Sequence, residues 1–456
     1  MDEMLKRVAE LTDEEIEQYS HNLMPNVAPA NGWRIKSAKG CTVEMEDGKK
    51  CLDLISAFFT NLIGFGDGEI ARVIAEQAEN VTYLGQMTNT KLRYALAHKL
   101  ASIAPGDLNR VCFSVGGGAA MENACKLALK NRPGAMNFLV LWDSYHGNTF
   151  FSGAGSICAT MNGGYTNAPD DPRNPDRAFW QYASSINMNF TRVPNPYCYR
   201  CPFRQKRGSC DVLCAEWVRY TIEKGVIGPA AALIVEPVQS GGAQMPLPVE
   251  YLQRVREICD EYGVLLIYDE VQTYARSGSF FAAEHYGVLP DILFSGKGIG
   301  GNMPVSVVIA SDSLRPFDRG YEELNTQTNN QVSMAASLKS IEIIERDNLL
   351  KRGVDMGARF ADGFTQMQKK YPKIGDIRAL GCMVGVELVE DPVTKEPLDK
   401  NKMQKIRAKA EEMGLIFQYA RECVIKIKPA LIISEAEVDF ALDVFERLFD
   451  EFLTDR

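Results

Sequence analysis

The sequence predicts an α/β fold: a large domain with a mostly parallel sheet sandwiched by helices, and a smaller α+β domain assembled from the N- and C-terminal segments. Three observations predict it. Short apolar runs end in single charged residues: Ala231–Val235 runs into Glu236, Gly263–Tyr268 into Asp269, and Asp291–Gly296 into Lys297. Such runs fit strands covered on both faces by helices. Helical and strand patterns alternate from about Asp67 to Ser311, the signature of a doubly wound parallel sheet. Finally, 456 residues exceed the usual size of one core, so a second unit is expected.

The elements follow in order. Residues 12–22 read as a helix, with Thr12 and Glu15 forming a capping box. Gly32 to Leu54 is strand-rich, with turn signals at Lys39-Gly40 and Glu46-Asp47-Gly48. Next come a helix over 90–103, a strand over 110–114, a helix over 119–130 and a strand over 137–142. A long helical stretch covers 333–371, then a strand 383–388, a helix 399–413, a strand 424–428 and a final helix 434–452. The expected division is 1–60 as an N-terminal segment joining the small domain, 61–325 as the large domain and 326–456 as the C-terminal small domain.

Composition narrows the function. A formal net charge of -9 argues against a general nucleic-acid binder. Met1 to His21 lacks the apolar centre of a secretory signal. No run approaches the ~18 apolar residues that span a bilayer, so the chain reads as cytoplasmic and without a membrane partner. The 12 cysteines are scattered, and Cys112, Cys125, Cys259 and Cys382 lie inside apolar runs, as buried free thiols do in a reducing compartment. Cys198, Cys201, Cys210 and Cys214 are spaced CxxC-x8-CxxxC, which a structural zinc at ~2.3 Å from four thiolates would accept. The second pair enters a helix at Ala215, so a loop packed by free or locally disulfide-bonded cysteines is preferred, and no metal is assigned to the chemistry.

In open parallel sheets ligands bind outside the carboxyl ends of the strands, so Glu236, Asp269 and Lys297 should meet at one edge. A lysine facing a carboxylate there points to carbonyl or Schiff-base chemistry. A buried carboxylate must be paired or it takes up a proton. The protonated nitrogen of a pyridine ring is a partner that both satisfies it and depends on it. Pyridoxal 5'-phosphate (PLP) acts as an electron sink only while that nitrogen stays positive. Lys297 would hold the cofactor as a Schiff base and move the proton at the substrate carbon. The plain alternative is an ordinary Asp–Lys pair at a domain edge.

Glu236-Pro237-Val238-Gln239, Asp269-Glu270-Val271-Gln272-Thr273 and Ser295-Gly296-Lys297-Gly298-Ile299-Gly300-Gly301 stand in this order. Together they resemble the class III aminotransferases of PLP fold type I, and the resemblance runs from about Gly32 to Phe452. It implies that Asp269 holds the pyridine nitrogen, Lys297 is the Schiff-base lysine, Val271 packs on one ring face and Gln272 hydrogen-bonds the ring hydroxyl. Glu236 would orient polar groups beside the site or pair with a cation. Phe113 to Ala120 lies between a strand and a helix, where backbone N–H groups can cradle a phosphate. The family usually has Ser-Gly-Ser/Thr-Glu there, whereas this chain has Gly116-Gly117-Gly118-Ala119, so Gly117 and Gly118 must serve through their backbones. In Ser144-Tyr145-His146-Gly147-Asn148-Thr149 the resemblance places Tyr145 on the pyridine ring with His146 beside it. Asn325 to Asn330 corresponds to the segment whose threonine reaches the cofactor phosphate of the neighbouring subunit; Thr326 is aligned with it, and Thr328 competes. That match implies an active site shared across a homodimer or a dimer of dimers.

Two departures bear on the reaction. Members that use glutamate and 2-oxoglutarate carry Glu-Pro-x-x-Gly-Glu-Gly-Gly and an arginine in the final strand. Here Gly241 replaces the second acid, and the final strand reads Val424-Ile425-Lys426-Ile427-Lys428-Pro429-Ala430. A lysine cannot offer the planar bidentate fork of an arginine. The resemblance therefore implies a transaminase that moves an amino group from a small amine or ω-amino acid to an oxo acid, with pyruvate favoured over 2-oxoglutarate. Phe58, Phe59, Arg421 and Lys426 are the candidate substrate contacts. Lyases (phospholyases or ammonia-lyases) and racemases share the early steps and stay open, whereas intact Asp269, Gln272 and Lys297 argue against a non-enzymatic protein that keeps the fold for binding or scaffolding.

Overall fold

The apolar runs that end in charge form the middle of a seven-stranded sheet. Its order is Leu108–Ser114, Ser306–Ser311, Ile292–Ser295, Leu265–Asp269, Ala230–Val235, Asn137–Leu141, Phe190–Val193. The structure is a computed structural model describing residues 2–20, 22, 34–156 and 188–454. His21 and Gly32, at the edges of two predicted segments, lie outside the described residues. From Ile292–Ser295 to Phe190–Val193 every pairing is parallel. Only Ser306–Ser311 runs against its neighbours, on both sides. The link from Ser295 to Ser306 is too short for a parallel crossover of about a dozen residues or more, so the chain doubles back. The mostly parallel α/β sheet is thus present, with one reversed strand inside it.

Helices cover the faces with apolar residues at helical spacing. Gly117–Asn131 buries Ala120, Met121, Ala124, Cys125, Leu127 and Ala128 against the sheet. Thr12 and Glu15 exchange the reciprocal bonds of a capping box: Thr12 N–H donates to Glu15 Oε2 at 2.9 Å and Glu15 N–H to Thr12 Oγ1 at 3.3 Å. The stretch expected as one helix over 333–371 is two, Gln331–Arg346 and Leu349–Lys370. Asn348 breaks it at φ +52°, a conformation that asparagine tolerates better than most residues. The first of these helices packs on Gly68–Asn80, on Lys91–Ile103 and on the turn after Lys297; the second packs on Glu435–Phe452 and Ile374–Leu380.

A smaller antiparallel sheet contains Ile374–Leu380, Met383–Asp391, Val424–Ile427 and Gln418–Ala420. Its first strand was not expected, because Gly375-Asp376-Ile377-Arg378 carries too few apolar residues to read as one. Ile35–Lys39, Thr42–Met45 and Lys50–Asp53 form another sheet, which Leu415–Ile416 joins in parallel beside Lys50–Asp53. Early and late parts of the chain therefore share a sheet. Cys198, Cys201, Cys210 and Cys214 are free thiols, without the local disulfide considered above. Among the described residues no group of three or more His, Cys, Asp or Glu is placed to hold a metal. None of the described helices is long and apolar enough to cross a membrane.

Candidate active site

The strand ends carry their charges into one buried cluster. Asp269, last residue of its strand, is 4% exposed. Its Oδ2 lies 2.8 Å from His146 Nδ1, and its Oδ1 accepts from the Val271 N–H at 3.0 Å. The other ring nitrogen, Nε2, is buried without a hydrogen-bond partner, and the ring meets Phe294 edge-on at 6.5 Å. Glu236 is 3% exposed; its Oε1 accepts from the Tyr145 N–H at 2.8 Å and its Oε2 from the Ser240 N–H at 3.2 Å. Burial pushes the Glu236 carboxyl up to about 7, with His146 opposing and Asp269 reinforcing the rise.

Lys297 opens the tight turn Lys297–Gly300 directly after Ile292–Ser295 and sits at φ +48°. A non-glycine residue held in that left-handed region costs about 1–3 kcal/mol, a strain that clusters at functional sites. Burial pushes its ammonium down, Asp269 and Glu236 pull it up, and Arg276 pushes it down again. A lysine whose proton leaves more readily is a better nucleophile.

The loop after Leu108–Ser114 leans on the same cluster. The helix Gly117–Asn131 starts at Gly116 with no side-chain cap, so its first N–H groups are open to an anion. A Cβ on Gly117 would stand 3.3 Å from both methyls of Val271, and one on Gly147, at φ +139°, would stand 2.6 Å from Gly118 Cα. Those glycines let the backbones of three loops converge. The residues fit PLP: a buried carboxylate for the ring nitrogen, an uncapped helix start for the phosphate and a lysine for the aldehyde.

The facing wall is built from a strained turn. Ser56, Ala57, Phe58 and Phe59 have φ of +42°, +51°, +61° and +73°, a full left-handed turn made without glycine. Each such residue costs roughly 1–2 kcal/mol. Asp53 holds the turn, accepting from the Ile55 and Ala57 N–H groups, both at 2.8 Å. Ser56 Oγ donates to the Lys428 carbonyl at 2.8 Å and accepts from Arg276 Nη2 at 2.7 Å, while Arg276 Nη1 donates to the Pro429 carbonyl at 2.7 Å. The turn leaves Phe58 60% exposed and buries Phe59. Lys428 Nζ stands 3.9 Å and Lys426 Nζ 5.0 Å from the centroid of the Phe59 ring, and both lysines are buried.

The remaining expected residues divide. Gln272 is brought to the cluster, its Oε1 accepting from Lys428 Nζ at 2.7 Å, and Tyr145 is tied there through Glu236. Arg421 is engaged by the protein itself: it pairs with Asp143, donates to the Gly242 carbonyl at 3.0 Å and lies over the Tyr197 ring at 4.9 Å. Thr326 is exposed, and its carbonyl accepts from Tyr83 OH at 2.7 Å; Thr328 is buried, with its hydroxyl spent on the Asn325 carbonyl at 2.9 Å. Arg276 and Lys428 were not expected in the site. The spacing of Lys426 and Lys428 places both on one face of a strand, the one signal that could have found Lys428.

Residues 25–449 match the family described as aminotransferase class-III. The chain is 33% identical over 449 residues to the leucine/methionine racemase of Thermococcus litoralis, covering 95% of each. It is 32% identical over 431 residues to the (R)-1-hydroxy-2-aminoethylphosphonate ammonia-lyase of Vibrio splendidus, covering 91% of this chain and 85% of that one. A PLP-bound amine transaminase from an uncultivated Pseudomonas species aligns with a TM-score of 0.83 at 25% identity, covering 94% of this chain and 98% of that one.

Proposed function

The chain belongs to the class III aminotransferases, PLP-dependent enzymes, and from that premise we propose that it transfers an amino group from a small amine or ω-amino acid to an oxo acid, with pyruvate favoured over 2-oxoglutarate. The observation that carries this reading is the buried Asp269–His146 pair beside a lysine whose ammonium is pushed down. When bound, PLP supplies an aldehyde for amines to join and a ring that draws electrons from the substrate carbon. Asp269, aligned by His146, holds the ring nitrogen charged. The N–H groups at Gly117 and Gly118 receive the phosphate, Val271 and Tyr145 flank the ring, and Gln272 meets its hydroxyl. Lys297 holds the cofactor and then takes the proton from the amine-bearing carbon of the substrate. Glu236, fixed by two backbone N–H groups, supplies a carboxyl that is neutral or ionised near neutral pH. Lys426, against Phe59, is the cation offered to an acceptor's carboxylate.

The similarity to a racemase and an ammonia-lyase supports a second reading in which the proton returns to the substrate or a leaving group departs. A half-reaction separates them. Given amine alone, a transaminase converts its cofactor to the pyridoxamine form and releases one equivalent of carbonyl product; a racemase or lyase keeps the aldehyde form. Acceptors run in parallel test the rest, and efficient use of 2-oxoglutarate would overturn the pyruvate preference.

Thr326 supports a homodimer reading. It lies where the segments carrying exposed Tyr83, Met87 and Leu324 meet, joined by the Tyr83–Thr326 bond and by the Asn325 N–H donating to Gln86 Oε1 at 2.6 Å. Apolar groups exposed together fit an interface between copies, with Thr326 reaching the phosphate of the neighbour. A monomer by light scattering would sink it.

A further inference from the structure

Lys428 is fully buried, and its side chain is a hydrogen-bond donor. Its Nζ donates to Gln272 Oε1 at 2.7 Å, donates to Ser240 Oγ and stands 3.9 Å from the centroid of the Phe59 ring. All three partners are uncharged. Burying a lysine among them is costly, and an apolar chain of similar volume would pack there without that cost. Burial pushes its ammonium well down; Lys426, Lys297 and Arg276 add to this, and Glu236 opposes.

The bond to Gln272 accounts for the lysine. A carboxamide has one accepting and one donating end, and Lys428 Nζ donates to the oxygen, which turns the NH2 group the other way. Gln272 is only partly buried, beside the Val271 that walls the Gly117 loop. We propose that Lys428 is a positioning residue: it fixes the Gln272 carboxamide with its NH2 group free to donate to the phenolic oxygen of PLP. This rests on the reading of Gln272 given above. The bond to Ser240 ties the loop after Glu236 to the same point, so one side chain just past the strand Val424–Ile427 registers two loops of the large sheet.

A donor at the phenolic oxygen stabilises its negative charge, which is greatest once the nitrogen joining cofactor to Lys297 has lost its proton. Lys428 therefore lowers the pH at which that nitrogen deprotonates. Lys297 faces Asp269, Glu236 and Arg276, and Lys428 faces Lys426, Lys297, Arg276 and Glu236, so none of these charges is altered by changing Gln272.

The test is a pH titration of the visible absorption of bound PLP in the wild-type holoenzyme, K428M, Q272A and the double variant. K428M should raise the midpoint by about one unit, tenfold in the proton equilibrium. Q272A should raise it similarly, and K428M should add nothing on the Q272A background. An unmoved midpoint in K428M overturns the proposal, as does an equal shift with Gln272 absent, which would mark a through-space charge. Should K428M not fold, K428Q keeps one donor toward Gln272 Oε1: a midpoint within about half a unit of wild type supports positioning, and one shifted as far as Q272A overturns it. A wild-type protein showing no visible PLP band that borohydride fixes on Lys297 would instead sink the family-based reading of the site.

Discussion

The carboxyl ends of the large sheet and the wall formed by Ser56–Phe59 and Val424–Ile427 handle charge in opposite ways. At the sheet ends acids and bases stand together: Asp269 meets His146, Glu236 accepts from two backbone N–H groups, and both carboxylates pull up the Lys297 ammonium. At the wall, Lys428 and Arg276 are satisfied by carbonyls, hydroxyls, a carboxamide and the face of Phe59. The first arrangement suits a cofactor whose charges are the same in every turnover. The second gathers Lys426, Lys428 and Arg276 near one buried carboxylate, Asp53, which on the proposed reading suits a substrate that brings its own anion and takes it away. On that reading the cofactor and substrate ends differ in their balance of charge more than in the residue types they use.

The comparison can be broken first at the sheet ends. Lys297→Ala should lower turnover by at least about ten-thousandfold, the upper range for one acid–base group, and abolish borohydride fixation of PLP, while the apo-protein's thermal midpoint holds. Retained turnover would remove the assignment. Next comes the wall. Asp53→Ala strips the left-handed turn of two hydrogen bonds to a carboxylate and should cost about 2–3 kcal/mol in urea unfolding, with Phe59 displaced and KM for the acceptor raised. Wild-type stability would show that the turn is held by something else. The smallest effect is a pH slope. In the fold Glu236 keeps its proton up to about 7 against an ordinary 4.5, so its contribution to stability is full below the lower value and is lost as pH rises through the upper. Apo wild type should therefore lose stability relative to Glu236→Gln across that window, by up to about 1.4 kcal/mol per pH unit, and the difference should be flat above it. A difference that does not change with pH sinks the account of Glu236.

The sheet ends were legible in the sequence for a physical reason: an unbroken apolar run that stops at one charge can hardly be anything but a buried strand reaching a site. Glu236, Asp269 and Lys297 all stand where that reasoning put them, on adjacent loops. The wall was less legible because its meaning is tertiary. Nothing in Ser56-Ala57-Phe58-Phe59 signals a left-handed turn, since no glycine or asparagine marks it; the contacts of Asp53, Arg276 and Lys428 impose it. Lys428 reads as one more strand lysine until Phe59 is folded beneath it. Arg421 reads as a free guanidinium until Asp143 arrives from a distant loop. The break at Asn348 was hidden by helical spacing on both of its sides.

Ser56 and Lys428 touch across 372 residues of chain. The bond that shapes the turn Ser56–Phe59 therefore cannot form on a nascent chain until Lys428 has left the ribosome, long after the parallel strands have been made. The sheet ends can take shape before the wall opposite them is completed. A chain stopped short of Lys428 would carry Glu236, Asp269 and Lys297 with neither the bond that fixes Ser56 nor the one that meets Gln272.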